Sequence, residues 1–149
     1  MIVGIPREIK NNESRVAIIP SGVKALTEKG HNVIIEHNTG IGVGITDDDY
    51  VKAGAEVALS MAKVYDNAEM ILKVKEPLAG EYNLLREGQI LFTFLHLAAN
   101  KELTKVLLDK KVTAIAYETI QTPDGAFPIL SPMSMIAGRL ASQIGANYL

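Results

Sequence analysis

The sequence predicts an α/β fold with a mostly parallel sheet and helices on both faces. Short β-branched runs alternate along the chain with longer segments of helical periodicity. Several of the short runs are apolar on both faces, as expected for buried parallel strands. The chain has 149 residues, of which 48% are apolar and 21% charged. This length suits one domain with a sizeable core and is too short for two full ones.

Six apolar runs are predicted as strands, and the clearest is residues 90–95. The run at residues 70–75 alternates, with Lys73 and Lys75 on the face that also carries Ile71. Lys73 is interpreted as a solvated side chain. The predicted strands are residues 2–5, 16–19, 32–36, 70–75, 90–95 and 112–117.

Capping residues and apolar spacing predict four helices. Gly30 ends the first helix. In the second, Thr46 is followed by Asp49, which forms a T-x-x-D capping box. Residues 120–129 are predicted as a turn or small hairpin before the last helix. The residues that mark the helix starts are Ser21, Thr46, Asn100 and Pro132.

Composition and charge exclude several classes of function. The formal net charge is −2, without a basic run, which argues against a nucleic-acid partner. The longest apolar stretch, residues 90–99, is too short to span a bilayer, so no membrane partner is expected. The chain has no cysteine, which excludes disulfides and thiolate metal sites, and it starts without a signal-peptide pattern. We therefore expect a cytoplasmic protein.

Glycines at positions 40, 42 and 44 superficially resemble a nucleotide-binding loop. Their spacing is not G-x-G-x-x-G, and the following helix begins with aspartates that would repel a phosphate. We interpret the segment as a structural turn. No dinucleotide fingerprint occurs elsewhere, and neither His31 nor His37 has the neighbours of a metal site.

Three ionisable residues follow predicted strands, where ligands bind in a doubly wound sheet. Arg15 lies on the connection after the first strand, and Lys75 and His96 end two later strands. Arginine and lysine hold carboxylates, and histidine can transfer a proton near neutral pH. This combination is typical of an enzyme that acts on an oxo acid or amino acid. The structural alternatives are that Arg15 pairs with a neighbouring glutamate, Lys75 is solvated, and His96 bonds a core carbonyl.

Five collinear motifs resemble the family of alanine dehydrogenases and the α-subunit of proton-translocating transhydrogenases. The histidine at position 96 and the YETIQ segment are more similar to alanine dehydrogenase. The motifs are GIPREIKNNESRVAIIP (residues 4–20), ILKVKEP (71–77), FLHLAAN (94–100), AYETIQ (116–121) and LSPMSMIAGR (130–139).

The resemblance implies the conversion of L-alanine, NAD and water to pyruvate, ammonium and NADH. It also implies that residues 1–129 are the N-terminal part of a flavodoxin-like substrate-binding domain. Residues 130–149 would begin an interdomain helix that leads to an NAD-binding domain absent from this sequence. The full-length parent would be a homo-oligomer.

The same resemblance implies roles for individual residues. Arg15 and Lys75 would bind the substrate carboxylate and carbonyl, and Lys75 would also be catalytic. His96 would be the catalytic acid and base, and Glu118 would support substrate binding. The cofactor NAD would be contacted by Met133 and Ser134, although in isolation Met133 is interpreted as core packing.

We expect little or no turnover from the chain by itself, since it contains no dinucleotide fingerprint. Two alternatives stay open at this point. The chain could be a relative such as a transhydrogenase α-subunit, or a non-catalytic, truncated binding or assembly module.

Overall fold

A computed structural model describes all 149 residues and contains a six-stranded parallel sheet in the order β3-β2-β1-β4-β5-β6. The predicted α/β class is confirmed. The strands are β1 (Ile2–Ile5), β2 (Asn32–Glu36), β3 (Ala55–Ala58), β4 (Met70–Leu72), β5 (Ile90–Thr93) and β6 (Thr113–Ala116). The helices are α1 (Pro20–Thr27), α2 (Asp47–Lys52), α3 (Met61–Asn67), α4 (Lys101–Asp109) and α5 (Leu130–Tyr148).

Five of the six predicted strands are confirmed, two of them with the predicted bounds. The last residues of the runs at 70–75, 90–95 and 112–117 fall outside β4, β5 and β6. The strand predicted at residues 16–19 is wrong. Ile19 is extended, with φ −94° and ψ 165°, but the segment leads into Pro20 of α1 and forms no strand.

The unpredicted strand β3 changes the strand order. It pairs with β2, with Val33 opposite Ala55, and forms one edge of the sheet. Without β3 the order would be the flavodoxin-like 2-1-3-4-5 that the resemblance implies. With it, the order becomes 3-2-1-4-5-6, another doubly wound arrangement.

The core of the sheet is built on β1 and β2. Ile5 and Ile35 are fully buried and pack in one cluster with Val23 of α1 and Tyr50 of α2. The hydroxyl of Tyr50 donates to the carbonyl of Ile18 at 2.8 Å, which satisfies its polar end. Burial raises the pKa of Tyr50 to about 12.

Close packing between β1 and α3 depends on a glycine. A Cβ atom built on Gly4 would lie 2.6 Å from the Cβ of Ala68 and 2.8 Å from Cγ1 of Val64. These distances are too short for any side chain, so only glycine allows this approach of helix to strand.

The helix ends agree with most of the predicted caps. Thr46 and Asp49 form the predicted capping box, and the side chain of Asn100 accepts from Leu103 N at 3.0 Å. Gly30, with φ +79°, follows α1 as predicted. Ser21 is not the first cap, because Pro20 already occupies the first turn of α1.

The chain folds into two compact units, Met1–Ile115 and Ala116–Leu149. The second contains a 3-10 turn at Tyr117–Thr119 and α5, which includes the predicted helix and has no buried residue. Between them, Thr122 N donates to Ala126 O at 2.9 Å in the predicted turn. None of the helices combines the length and the hydropathy that spanning a bilayer requires.

Candidate functional site

Three of the candidate residues in the first unit follow the carboxyl ends of β1, β4 and β5. β1 and β4 are neighbours, while the chain continues from β1 toward β2 on one side and from β4 toward β5 on the other. This is a topological switch point, where doubly wound sheets bind ligands. Arg15 follows β1, Lys75 follows β4 and His96 follows β5. Their functional roles stay predictions.

The backbone of Lys75 is held from both sides. Its N–H lies 3.3 Å from Oε1 of Glu8, the same oxygen that accepts from Val74 N at 2.6 Å. Its carbonyl accepts from Oγ1 of Thr93 at 3.0 Å. The side chain of this residue is half-buried, so the ammonium is attached to a fixed backbone at the edge of the site.

Arg15 binds a neighbouring carboxylate, as one structural alternative anticipated. Its Nε donates to Oε1 of Glu13 at 2.8 Å and its NH2 group to Oε2 at 2.6 Å. These hydrogen bonds lower the pKa of Glu13, and the charge of Lys75 adds to the effect. The same bond to Glu13 raises the pKa of Arg15. The two-pronged geometry is the one with which a guanidinium also holds a small carboxylate ligand.

A cavity of about 180 Å³ lies beside this pair. It is smaller than the roughly 300–1,000 Å³ of drug-sized pockets, so it suits a ligand of a few heavy atoms. Thr39, which lines the cavity, is 6% exposed, and its Oγ1 has no hydrogen-bond partner. A larger cavity of about 310 Å³ beside β3 is lined by none of the predicted site residues. The smaller cavity is lined by Arg7, Glu8, Glu13, Ser14, Arg15, Asn38, Thr39, Ile41 and Gly42.

His96 has an unusual backbone conformation. Its φ of 49° and ψ of 36° are left-handed, and it caps the 3-10 turn Leu97–Ala99. Its ring stacks on Phe94, with 6.1 Å between centroids and 14° between planes. Histidine is one of the few residues other than glycine that adopt this region with some frequency. The left-handed turn leaves the side chain exposed at the end of β5.

Glu76 is a neighbour of His96 that the sequence did not single out as functional. Burial by itself would raise its pKa, but a hydrogen bond from Lys10 Nζ at 2.5 Å and the charge of His96 leave it lowered. One carboxylate oxygen, Oε2, is buried without a hydrogen-bond partner. An ionised carboxylate therefore lies beside the candidate acid and base.

The interpretation of Lys73 as a solvated residue is wrong. Lys73 is 0% exposed, and its Nζ lies 3.2 Å from Oε2 of Glu8 and 2.9 Å from Oε1 of Glu81. Neither contact has hydrogen-bond alignment, so the attraction is that of an ion pair. The sequence does contain one indication of this burial, because Lys73 shares a strand face with Ile71, which is fully buried.

Glu118, Met133 and Ser134 lie in the second unit. Glu118 is half-buried in its 3-10 turn. Met133 is 40% exposed on α5, so it is not packed in a core as the isolated pattern suggested. The roles in substrate and cofactor binding implied for these residues stay predictions. No group of three or more metal-ligating side chains is present.

Comparisons with known proteins cover the whole chain. The family model described as alanine dehydrogenase/PNT, N-terminal domain, matches residues 4–137. An alanine dehydrogenase from Methanococcus maripaludis is 59% identical over 149 residues, which make up 100% of this chain and 40% of that protein.

Solved structures of the same two kinds of protein superpose on this chain. An L-alanine dehydrogenase superposes with a TM-score of 0.93 at 53% identity over 100% of this chain and 41% of its own. A transhydrogenase from Sinorhizobium meliloti superposes with a TM-score of 0.74 at 35% identity over 79% of this chain and 35% of its own. The chain thus spans about 40% of the length of the alanine dehydrogenases that it matches.

Proposed function

This chain belongs to the alanine dehydrogenase/PNT N-terminal domain family, and on that premise we propose that it is the substrate-binding part of an NAD-dependent L-alanine dehydrogenase. The reaction converts L-alanine, NAD⁺ and water to pyruvate, ammonium, NADH and a proton. The observation that carries the proposal is the 59% identity to an alanine dehydrogenase along the whole chain. The small cavity beside Arg15 supports a substrate of this size.

In this proposal the substrate carboxylate takes the place of Glu13 as a partner of Arg15. The exchange keeps the hydrogen bonds of the guanidinium, because one bidentate carboxylate replaces another. Arg15 has 45% of its side chain exposed, so a ligand can reach it. Lys75 then lies with its positive charge beside the carbonyl of pyruvate and favours electron flow toward the oxygen during reduction.

His96 is proposed to move the protons of the reaction. The carbinolamine and imine formed from the substrate gain and lose protons at oxygen and nitrogen, and a histidine can serve both steps near neutral pH. Exposure at the end of β5 makes its ring accessible to a substrate in the site. Glu118 is proposed to support substrate binding.

The residues present do not fit a dinucleotide in this sheet. The connection from β1 to α1, residues 6–19, contains no glycine, whereas a pyrophosphate needs a glycine-rich turn there. NAD would supply the hydride acceptor of the reaction, bound by residues outside this sheet. Met133 and Ser134 are proposed only as contact positions, and a homo-oligomeric whole protein is proposed from the resemblance.

The transhydrogenase alternative has weaker support. The solved transhydrogenase shares 35% identity over 79% of the chain, against 53% over 100% for the solved alanine dehydrogenase. His96 separates the two functions, because only deamination needs its proton transfer. A binding or assembly module without catalysis would not require a ligand at Arg15 and Lys75.

The test is a titration of the ¹⁵N-labelled chain with pyruvate, with propionate as the control that lacks the carbonyl oxygen. We expect pyruvate to shift the Arg15 Nε–H and Lys75 amide signals more strongly than propionate. Lys75→Ala should weaken pyruvate binding about tenfold or more, since a charged hydrogen bond is worth roughly 1.5–3 kcal/mol. Lys111→Ala, which removes an exposed ion pair with Glu87, is the matched control.

Two results would overturn the proposal. One is the absence of any pyruvate-dependent shift at Arg15 and Lys75 under conditions in which the chain is folded. The other is a pyruvate response that Lys75→Ala leaves unchanged. A parallel assay with L-alanine and NAD should give little or no NADH, and robust NADH formation would contradict the assignment of a substrate-binding part alone.

A further inference from the structure

We propose that Glu8 fixes Lys75 in place as a positioning residue, and that Glu8 is itself held in a buried cluster with Lys73 and Glu81, here called the Lys73 cluster. The inference rests on the proposed role of Lys75 in binding substrate. The inference gives a role to three buried charged side chains that the proposed reaction does not use.

The Lys73 cluster is almost wholly removed from water. The exposed fractions of its side chains are 1% for Lys73, 5% for Glu8 and 1% for Glu81. Burying one ammonium and two carboxylates is costly unless each has partners that compensate for lost hydration. The carboxylates have those partners in backbone N–H groups and in one tyrosine hydroxyl, while the ammonium is compensated by the charges of the two carboxylates.

The two carboxylates use their partners differently. Glu81 accepts from the hydroxyl of Tyr65 at 3.0 Å and from Leu78 N at 2.9 Å. Glu8 instead accepts from Val74 N and Lys75 N with Oε1, while its other oxygen, Oε2, pairs with Lys73. Both glutamates neutralise the lysine, but only Glu8 is bonded to the backbone of a candidate site residue.

The backbone at Lys75 needs such a contact because the sheet ends there on one side. The register of β1 with β4 stops at Gly4 opposite Ile71. Toward β5 the ladder continues, and Phe94 N donates to Val74 O at 3.3 Å. On the β1 side, the carboxylate of Glu8 takes the position of the missing strand and accepts the N–H groups that would otherwise have no partner.

Lys73 makes this arrangement possible. Its ammonium attracts one oxygen of Glu8 at 3.2 Å, which orients the other oxygen toward Val74 N and Lys75 N. Glu8 also lines the cavity that contains Arg15. One carboxylate therefore connects the loop that carries Arg15 to the strand end that carries Lys75.

The experiment compares Glu8→Ala with Glu81→Ala in the same 149-residue chain. Both variants remove one buried partner of Lys73, so both are expected to lower thermal stability. Only Glu8→Ala should weaken pyruvate binding, by about tenfold or more, because small misplacements of a binding group are costly. It should also accelerate hydrogen exchange at the amides of Val74 and Lys75 at least about tenfold.

Two further variants keep the test decisive if Glu8→Ala does not fold. Glu8→Gln keeps the length of the side chain but has one acceptor oxygen, which cannot serve both Lys73 and the N–H groups of Val74 and Lys75, so it should behave like Glu8→Ala at Lys75. Glu8→Asp retains the charge beside Lys73 but shortens the side chain by one carbon, so it should behave like Glu8→Ala at Lys75.

The proposal is overturned if Glu8→Asp and Glu8→Ala weaken pyruvate binding no more than Glu81→Ala does. It is also overturned if the amides of Val74 and Lys75 keep their protection in these variants. If the unmodified chain fails to bind pyruvate, the proposed function fails. The positioning of Lys75 is then still decided by amide exchange and by ¹³C relaxation of its side chain.

Discussion

The Lys73 cluster and the Arg15–Glu13 pair use the same chemistry in opposite environments. The side chain of Lys73 is 1% exposed and pairs with two buried glutamates, whereas that of Arg15 is 45% exposed and pairs with Glu13, whose own side chain is 8% exposed. A buried pair cannot exchange partners without a large loss of solvation energy. The Arg15–Glu13 pair can exchange at lower cost, because its guanidinium is open to water and to a competing carboxylate. The Lys73 cluster is thus suited to holding backbone, and the half-exposed Arg15 to receiving a ligand.

The comparison is tested most severely by Lys73→Ala. This variant leaves Glu8 and Glu81 buried without their cation, so we expect a loss of about 3–5 kcal/mol in the free energy of unfolding. Urea denaturation at neutral pH measures it. Lys111→Ala, which breaks an exposed pair with Glu87, should change the same quantity by less than about 1 kcal/mol. Equal losses in the two variants would remove the distinction between buried and exposed pairs.

The buried region should also be sensitive to alkali through Tyr65. Burial and, secondarily, the charge of Glu81 raise the pKa of Tyr65 well above its ordinary value of 10.0. The native state therefore keeps the proton that the unfolded state loses, so stability is complete below about pH 10 and falls as the pH rises above it. Tyr65→Phe should cost about 1.5–3 kcal/mol at neutral pH.

Urea denaturation from about pH 8 to about pH 11 checks the alkaline prediction. Tyr65→Phe should reduce the loss of stability over this range. Tyr50 contributes in the same direction, since its pKa is raised to about 12, and a small alkaline loss should therefore persist in the variant. An alkaline profile identical in the variant and the unmodified chain would contradict the role of Tyr65.

The variant Glu13→Gln tests whether Glu13 competes with the ligand for Arg15. Glutamine keeps an acceptor oxygen but loses the charge, so it competes less for Arg15, and the affinity for pyruvate should rise about two- to fivefold, the range that corresponds to a weak ion pair. The pyruvate titration by NMR measures this change. Stability should hardly alter. A decrease in affinity would show that Glu13 helps to bind the ligand and does not compete with it.

The smallest expected effect is at acid pH. The hydrogen bonds from Arg15 and the nearby positive charge outweigh burial, which by itself would raise the pKa of Glu13, and they leave it below 4.5. Its contribution to stability is therefore present above about pH 4.5 and is lost as the pH falls through the lowered value. Acid unfolding followed by circular dichroism should show a slightly weaker pH dependence for Glu13→Gln than for the unmodified chain.

Much of the fold was predictable because the central strands carry their own signal. β1 and β2 are apolar runs whose bounds the sequence predicts correctly. β3 is not such a run, since its AEVA sequence forms a strand only because β2 offers an edge to pair with. Conversely, residues 16–19 are apolar enough for a strand but have no partner. Strand formation at these two places depends on tertiary pairing.

The candidate site was predictable in part for a similar reason. Arg15, Lys75 and His96 could be selected because polar residues after apolar strands reach one edge of a parallel sheet. The burial of Lys73 could not be inferred in this way, because it depends on glutamates from two other parts of the chain. A lysine at a strand end is solvated unless such partners cover it, and only the fold brings them together.

The left-handed backbone of His96 bears on how mutants at this position should be designed. An alanine there removes the imidazole and also places a residue with little tolerance for positive φ at the turn. The measured defect would then mix lost proton transfer with a distorted loop. Asparagine tolerates the same conformation and cannot act as an acid or base near neutral pH. His96→Asn is therefore the substitution that separates chemistry from loop geometry.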